Sequence, residues 1–137
     1  MRKKTYKTYE KGMIKFDSDP QFGDTFGSVL CRFMKDFGCT EAELADAIGV
    51  DISAVKKYKS NSYKPTVPNL IKICLALHLF YERSIYLISL SGKKLPDGIK
   101  GEQYKWALGI IFYKDWNIDE CSKECMNFFN LPNDSLF

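Results

Sequence analysis

Within residues 51–64 four lysines, Lys56, Lys57, Lys59 and Lys64, stand against one carboxylate, Asp51. Ammonium groups at that density suit phosphate oxygens and guanine edges, while the adjoining Ile52 and Ser53 supply an apolar contact for a thymine methyl and a hydroxyl for a base edge. Other constellations are poorer. Cys121 and Cys125 lie four apart on one prospective helix face, but two thiolates fall short of the four ligands of a structural zinc, and the single histidine, His78, sits in the apolar run ICLALHL. There is no C-x-x-C among the five cysteines Cys31, Cys39, Cys74, Cys121 and Cys125, which read as reduced, mostly buried small side chains. Nothing near His78 offers a nucleophile or paired carboxylates, and no glycine-rich phosphate loop or triad-like set occurs. No enzyme activity, cofactor or metal is expected.

The lysines need a frame that turns them outward, and TEAELADAIGVDISAVKKY, residues 40–58, supplies one. Thr40 and Glu43 form a capping box, so a helix starts near Glu41. Leu44, Ala45 and Ile48 draw an apolar stripe along it, too short to be stable without packing. Gly49 falls where that helix must end in a left-handed residue, a conformation costing glycine little. Val50 fills the turn, Asp51 stands at the next N-cap, and Ala54, Val55 and Tyr58 give a second helix its inner face. Ala45 is small where the two helices cross. Ile52, Ser53, Lys56 and Lys57 then point outward, with Lys59 following.

At these residues the chain resembles the Xre and phage-repressor (Cro-like) helix-turn-helix family over roughly residues 25–80. The similarity takes in Phe26 and Leu30, Thr40 to Ala45, Ile48-Gly49-Val50, Val55, Lys64-Pro65, and Leu70, Ile73, Ala76 and Leu77. It implies an all-α fold, a compact five-helix domain binding operator DNA, usually as a dimer, with the helix from Asp51 to Lys59 as recognition helix. Carried over by position, base-edge contacts fall to Ile52, Ser53, Lys56 and Lys57, and phosphate contacts to Thr40, Glu41, Lys59 and the loop Asn61, Ser62, Tyr63 and Lys64. Two positions depart from the pattern. Glu41 stands where many members carry glutamine, and a carboxylate there repels a phosphate. Met34 and Lys59 replace an arginine–glutamate pair, leaving Lys59 available to a phosphate.

The remaining chain reads as helices. One begins between Pro20 and Thr25 and runs to Phe37, another runs from Thr66 and Pro68 to about Leu79, and Tyr81 to Leu90 makes a further one. Three glycines and a proline crowd residues 91–101, SGKKLPDGIKG, which makes this the clearest boundary. Beyond it Glu102 to Lys114 and a helix opened by Asn117 and Glu120, ended by Leu131-Pro132, form a C-terminal two-helix extension similar to that of some bacterial, mainly Firmicute, members of the family. The expected organisation is a basic tail over 1–18, a helix-turn-helix domain over 19–92, a linker over 93–101 and the extension over 102–137. Trp106, Ile110, Ile118, Met126, Phe128 and Phe129 are too many large apolar groups to leave in water, so the extension packs on the first domain or forms a homodimer contact.

Charge follows the same division. Residues 1–16 hold six cations against one glutamate, whereas residues 117–137 hold four acids against one lysine, so the overall charge of +3 conceals a basic N-terminal half. Lysines interleaved with Tyr6 and Tyr9 suit either a solvated tail or an arm tracking phosphates. No apolar run approaches the length of a membrane span, and MRKKTYKTYEKG lacks the apolar core of a signal peptide, so a cytoplasmic location with no membrane partner is expected. The sequence therefore reads as a sequence-specific regulator of double-stranded DNA, a repressor of bacterial or phage type. The alternative is a protein-interaction module keeping the fold without DNA binding, for which Glu41 and the missing ion pair argue.

Overall fold

The computed structural model describes residues 20–137, so the basic stretch 1–18 and its tail or arm lie outside the described residues. Seven α-helices and one 3-10 turn follow, with no strand among the described residues. They are α1 (Phe26–Phe37), α2 (Glu41–Ile48), α3 (Ile52–Lys59), α4 (Val67–Ala76), α5 (Tyr81–Leu90), α6 (Gly98–Ile110), the turn Ile111–Tyr113, and α7 (Ile118–Phe128).

Local chemistry explains most of the boundaries. Thr25 caps α1 in a reciprocal pair with Ser28, and Thr66 caps α4 with Pro68 in its first turn. Asn117 and Glu120 cap α7 reciprocally, as the sequence predicts. Phe26, Leu30, Phe33 and Phe37 recur along α1 and are essentially inaccessible, each contributing about 1.5–3 kcal/mol by burial. They meet Leu44, Val55, Leu70 and Ile73 from α2, α3 and α4 in one apolar cluster. That cluster continues without a break into Ala107 and Leu108 of α6 and Cys121, Cys125 and Met126 of α7.

Several boundaries differ from the sequence reading: α6 gives way to the 3-10 turn after Ile110 rather than running to Lys114, α7 ends at Phe128, ahead of Leu131-Pro132, and two further differences have clear causes. Helix α4 stops at Ala76 rather than near Leu79, because His78 adopts a left-handed conformation (φ 49°) and the Leu79 N–H turns back to the Cys74 carbonyl. His78 thus lies beyond the helix. It is buried, its ring stacks on Phe37 with centroids 5.6 Å apart, and its Nε2 is 2.8 Å from the Trp116 carbonyl oxygen. That oxygen can only accept, so Nε2 carries a proton and ties the segment before α7 to the end of α4.

Helix α6 begins at Gly98, four residues ahead of Glu102, inside the stretch expected as linker. One of the three glycines there serves close packing. A Cβ on Gly101 would lie 1.9 Å from the Pro96 carbonyl oxygen, so only glycine lets that strand of chain lie against the first turn of α6. Helix α6 packs on α4 and α5, and α7 packs on α6 and α4. The chain then folds back, placing Leu136 in the core with its N–H on Ser122 Oγ (2.9 Å) and Phe137 against Tyr104. Most of the extension's large apolar groups are thereby covered within the chain. Phe128 remains 63% exposed, stacked on Trp106, which in turn stacks on Trp116.

All five cysteines are free thiols. Burial pushes Cys74 and Cys121 up to about 12 and Cys39 and Cys125 up to about 11, which keeps them as neutral packing groups.

Asp24, ahead of α1, gathers three partners, the Gln21 N–H (2.9 Å), Arg32 and Tyr86. Its two oxygens accept from both terminal nitrogens of Arg32 (2.7 and 2.8 Å), and one also accepts from the Tyr86 hydroxyl of α5 (2.5 Å). The Arg32 bonds first and the Tyr86 bond second hold its carboxyl well below the usual carboxylate range. A carboxyl depressed in the folded state stabilises above its unfolded value of about 4, and the contribution is lost as pH falls from there toward the folded value. The urea midpoint of the native chain should therefore drop further between pH 6 and pH 3 than that of Asp24→Asn, which lacks the contribution at both. Equal drops would show that the Asp24 network adds nothing.

Candidate functional site

Helices α2 and α3 meet through the turn Gly49-Val50-Asp51. Gly49 is left-handed (φ 76°), and its N–H and that of Val50 both return to the Ala45 carbonyl (2.9 and 3.0 Å), closing α2 as the sequence predicts. The Thr40–Glu43 capping box is formed, with Thr40 N–H donating to Glu43 Oε1 (3.0 Å) and Glu43 N–H to Thr40 Oγ1 (3.1 Å). Asp51 occupies the N-cap of α3, but its side chain makes no cap bond and stays exposed at the head of the helix.

On α3 the two sides divide sharply. Val55 and Tyr58 are buried against the core, while Ile52 (44% exposed), Ser53, Lys56 and Lys57 face outward. Next to them an open groove of about 690 Å³ is lined by Val50, Asp51, Ser53, Lys57, Ser62 and Tyr63. Tyr63 is 54% exposed and stacks on the buried Tyr58 at 6.1 Å, so an aromatic edge stands at the end of the groove. Ser62 is exposed and within 2.7 Å of the Ser60 hydroxyl.

The other sequence candidates are engaged within the protein. Lys59 Nζ lies 3.0 Å from Glu41 Oε2, an ion pair that joins the last residue of α3 to the first of α2. Lys64 Nζ sits over the Phe26 ring at 5.5 Å and reaches Asn61 Oδ1 at 3.4 Å. Asn61, left-handed at φ 62°, turns its side chain toward α1. Its Oδ1 accepts the Gly27 N–H (2.8 Å), and its Nδ2 donates to Thr25 Oγ1 (3.1 Å). Gly27 is the counterpart of this latch, because a Cβ there would lie 2.1 Å from the Lys59 carbonyl oxygen. Met34, at the position of the family's arginine, is buried core.

Gly27 and the inward role of Asn61 are absent from the sequence reading. Their hydrogen bond spans 34 residues, and nothing local in FGSV or SNSYK announces it. Together they set how the head of α1 seats against the tail of α3, and so fix the angle at which the exposed lysines are presented.

Two helices joined by a glycine turn, the second with one buried face and one cationic exposed face, and three more helices closing the core behind them, form a helix-turn-helix unit. Residues 32–79 match the helix-turn-helix family, and the unit is similar to the helix-turn-helix domains of the Xre and phage-repressor type. Over 50 residues, 36% of this chain, it is 45% identical to the cryptic phage CTXphi transcriptional repressor RstR of Vibrio cholerae serotype O1. The match spans 45% of that relative's length, and no solved structure matches the chain.

Proposed function

We propose that the chain is a sequence-specific DNA-binding transcriptional regulator that lays α3 in the major groove. The observation that carries this is the exposed quartet Ile52, Ser53, Lys56 and Lys57 on a helix whose opposite face, Val55 and Tyr58, is locked in the core. Such a helix cannot rotate its cations away, so they meet phosphates and guanine edges as a fixed set. Ser62 and Tyr63 add a hydroxyl and an aromatic edge along the adjoining groove. Binding at DNA, rather than catalysis, is the proposed activity.

Repression is the direction that likeness to RstR favours. Dimeric operator binding belongs to the same proposal, with the exposed Phe128 and the stacked Trp106 and Trp116 as the contact between copies. Two α3 helices set about 34 Å apart would read half-sites one DNA turn apart. A cytoplasmic setting accompanies this reading, and no described helix is long and apolar enough to cross a membrane. The interaction-module alternative rests on Glu41 and on the missing arginine–glutamate pair; Lys59 pairs with Glu41, which weakens the first ground, while buried Met34 leaves the second in place.

Fluorescence anisotropy on random duplex DNA at 50 and 200 mM salt, followed by selection from a randomised pool, tests the proposal. Salt-sensitive binding that enriches a palindrome is expected. Absence of binding at the lower salt would overturn it.

A further inference from the structure

We propose that Glu41 is an affinity-limiting residue of the DNA face, which holds Lys59 by an ion pair and withholds that ammonium from the phosphate backbone. The inference rests on the DNA-binding reading above and deepens it. Its starting point is the inventory of the four lysines in residues 51–64. Lys56 and Lys57 are exposed, Lys64 is turned over the Phe26 ring, and Lys59 is bonded to Glu41 at 3.0 Å with both side chains about one-third accessible. Only two of the four are therefore presented outward.

Electrostatics gives the pair its consequence. Each phosphate neutralised by a cation releases condensed counterions, so affinity falls by about 0.9 logarithmic units per contact for each tenfold rise in salt. A lysine already neutralised by a carboxylate contributes little to that release. Equally, a lone carboxylate at the first residue of α2, beside Thr40, would push a phosphate away from the helix end. Glu41 and Lys59 thus act as one neutral unit in an otherwise cationic surface, and each masks the other. Glu41 lowers affinity for all duplex DNA, which leaves the contacts of Ile52, Ser53, Lys56 and Lys57 a larger share of binding.

A double-mutant cycle tests this with binding to random duplex DNA and to the selected operator. Glu41→Gln frees Lys59 and is expected to tighten binding to random duplex about fivefold at 0.1 M salt, with the salt slope steepened by about 0.9. Lys59→Gln strands the carboxylate and should weaken binding about tenfold. The double variant should return to within about twofold of the native chain, and the coupling is read in the salt slope: Lys59→Gln should flatten it by about 0.9 only where Glu41 is already Gln, whereas an independent Lys59 contact would lose that slope in either background. Thermal midpoints within 2–3 °C of native, roughly the shift of a surface substitution, would exclude unfolding as the cause. Weaker binding by Glu41→Gln, or an unchanged salt slope, would overturn the proposal while leaving DNA binding intact. No binding by the native chain or any variant at low salt would overturn the underlying reading and this inference with it.

Discussion

Gly27→Ala is expected to destabilise the fold by about 3 kcal/mol or more, lowering the thermal midpoint by roughly 10 °C, and to cost operator affinity as well. The added methyl would stand 2.1 Å from the Lys59 carbonyl oxygen and 2.7 Å from its carbon. Both atoms are backbone at the end of α3, so no side chain can swing aside to make room. The head of α1 must move instead, stretching the 2.8 Å bond from Gly27 N–H to Asn61 Oδ1. Gly109→Ala provides the contrast, since a Cβ there meets nothing within 4 Å and the position lies inside α6. That variant should be neutral or up to about 1 kcal/mol more stable, because alanine is the better helix former. Equal melting of the two variants would refute the close approach of α1 to α3.

Reversing both exposed lysines, Lys56→Glu with Lys57→Glu, should abolish measurable DNA binding at 0.15 M salt, a loss of about a hundredfold or more. Two phosphate contacts removed flatten the salt slope by about 1.8, and two carboxylates in their place add repulsion. Melting should stay within a few degrees of native, because both side chains are exposed and neither packs in the core. Anisotropy on the selected operator, paired with a thermal melt, reads both quantities. A doubly reversed chain that kept its affinity would remove α3 from the interface and with it the proposed function.

What the sequence revealed and concealed follows from the range of each interaction. The turn at Gly49, the Thr40–Glu43 and Asn117–Glu120 boxes, and the stripe Leu44, Ala45, Ile48 arise between residues one to five apart, and all stand as read. Positions set by distant partners were not legible. The end of α4 depends on His78 taking a left-handed turn held by Phe37 and Trp116, neither of them near it in sequence. The start of α6 was obscured because glycines at 98 and 101 resemble loop punctuation, whereas Gly101 exists to admit the Pro96 carbonyl. Within the site, residue type identified the cationic face but not which cations are spent. Lys59 and Lys64 look like Lys56 and Lys57 in a one-dimensional string, and only the fold brings Glu41 and Phe26 to them.

The uninterrupted core from α1 to α7 carries a consequence for operator geometry. With Ala107, Leu108 and Cys121 packed in the same cluster as Leu70 and Ile73, no slack lies between α3 and the aromatic ladder of Trp106, Trp116 and Phe128. Two copies clasped through that ladder would hold their α3 helices like the jaws of a fixed-gap caliper. Each base pair inserted between half-sites rotates one jaw's target by roughly 34–36° around the duplex, given 10–10.5 base pairs per turn. A rigid caliper cannot follow that rotation, so spacing would be discriminated as strictly as base sequence.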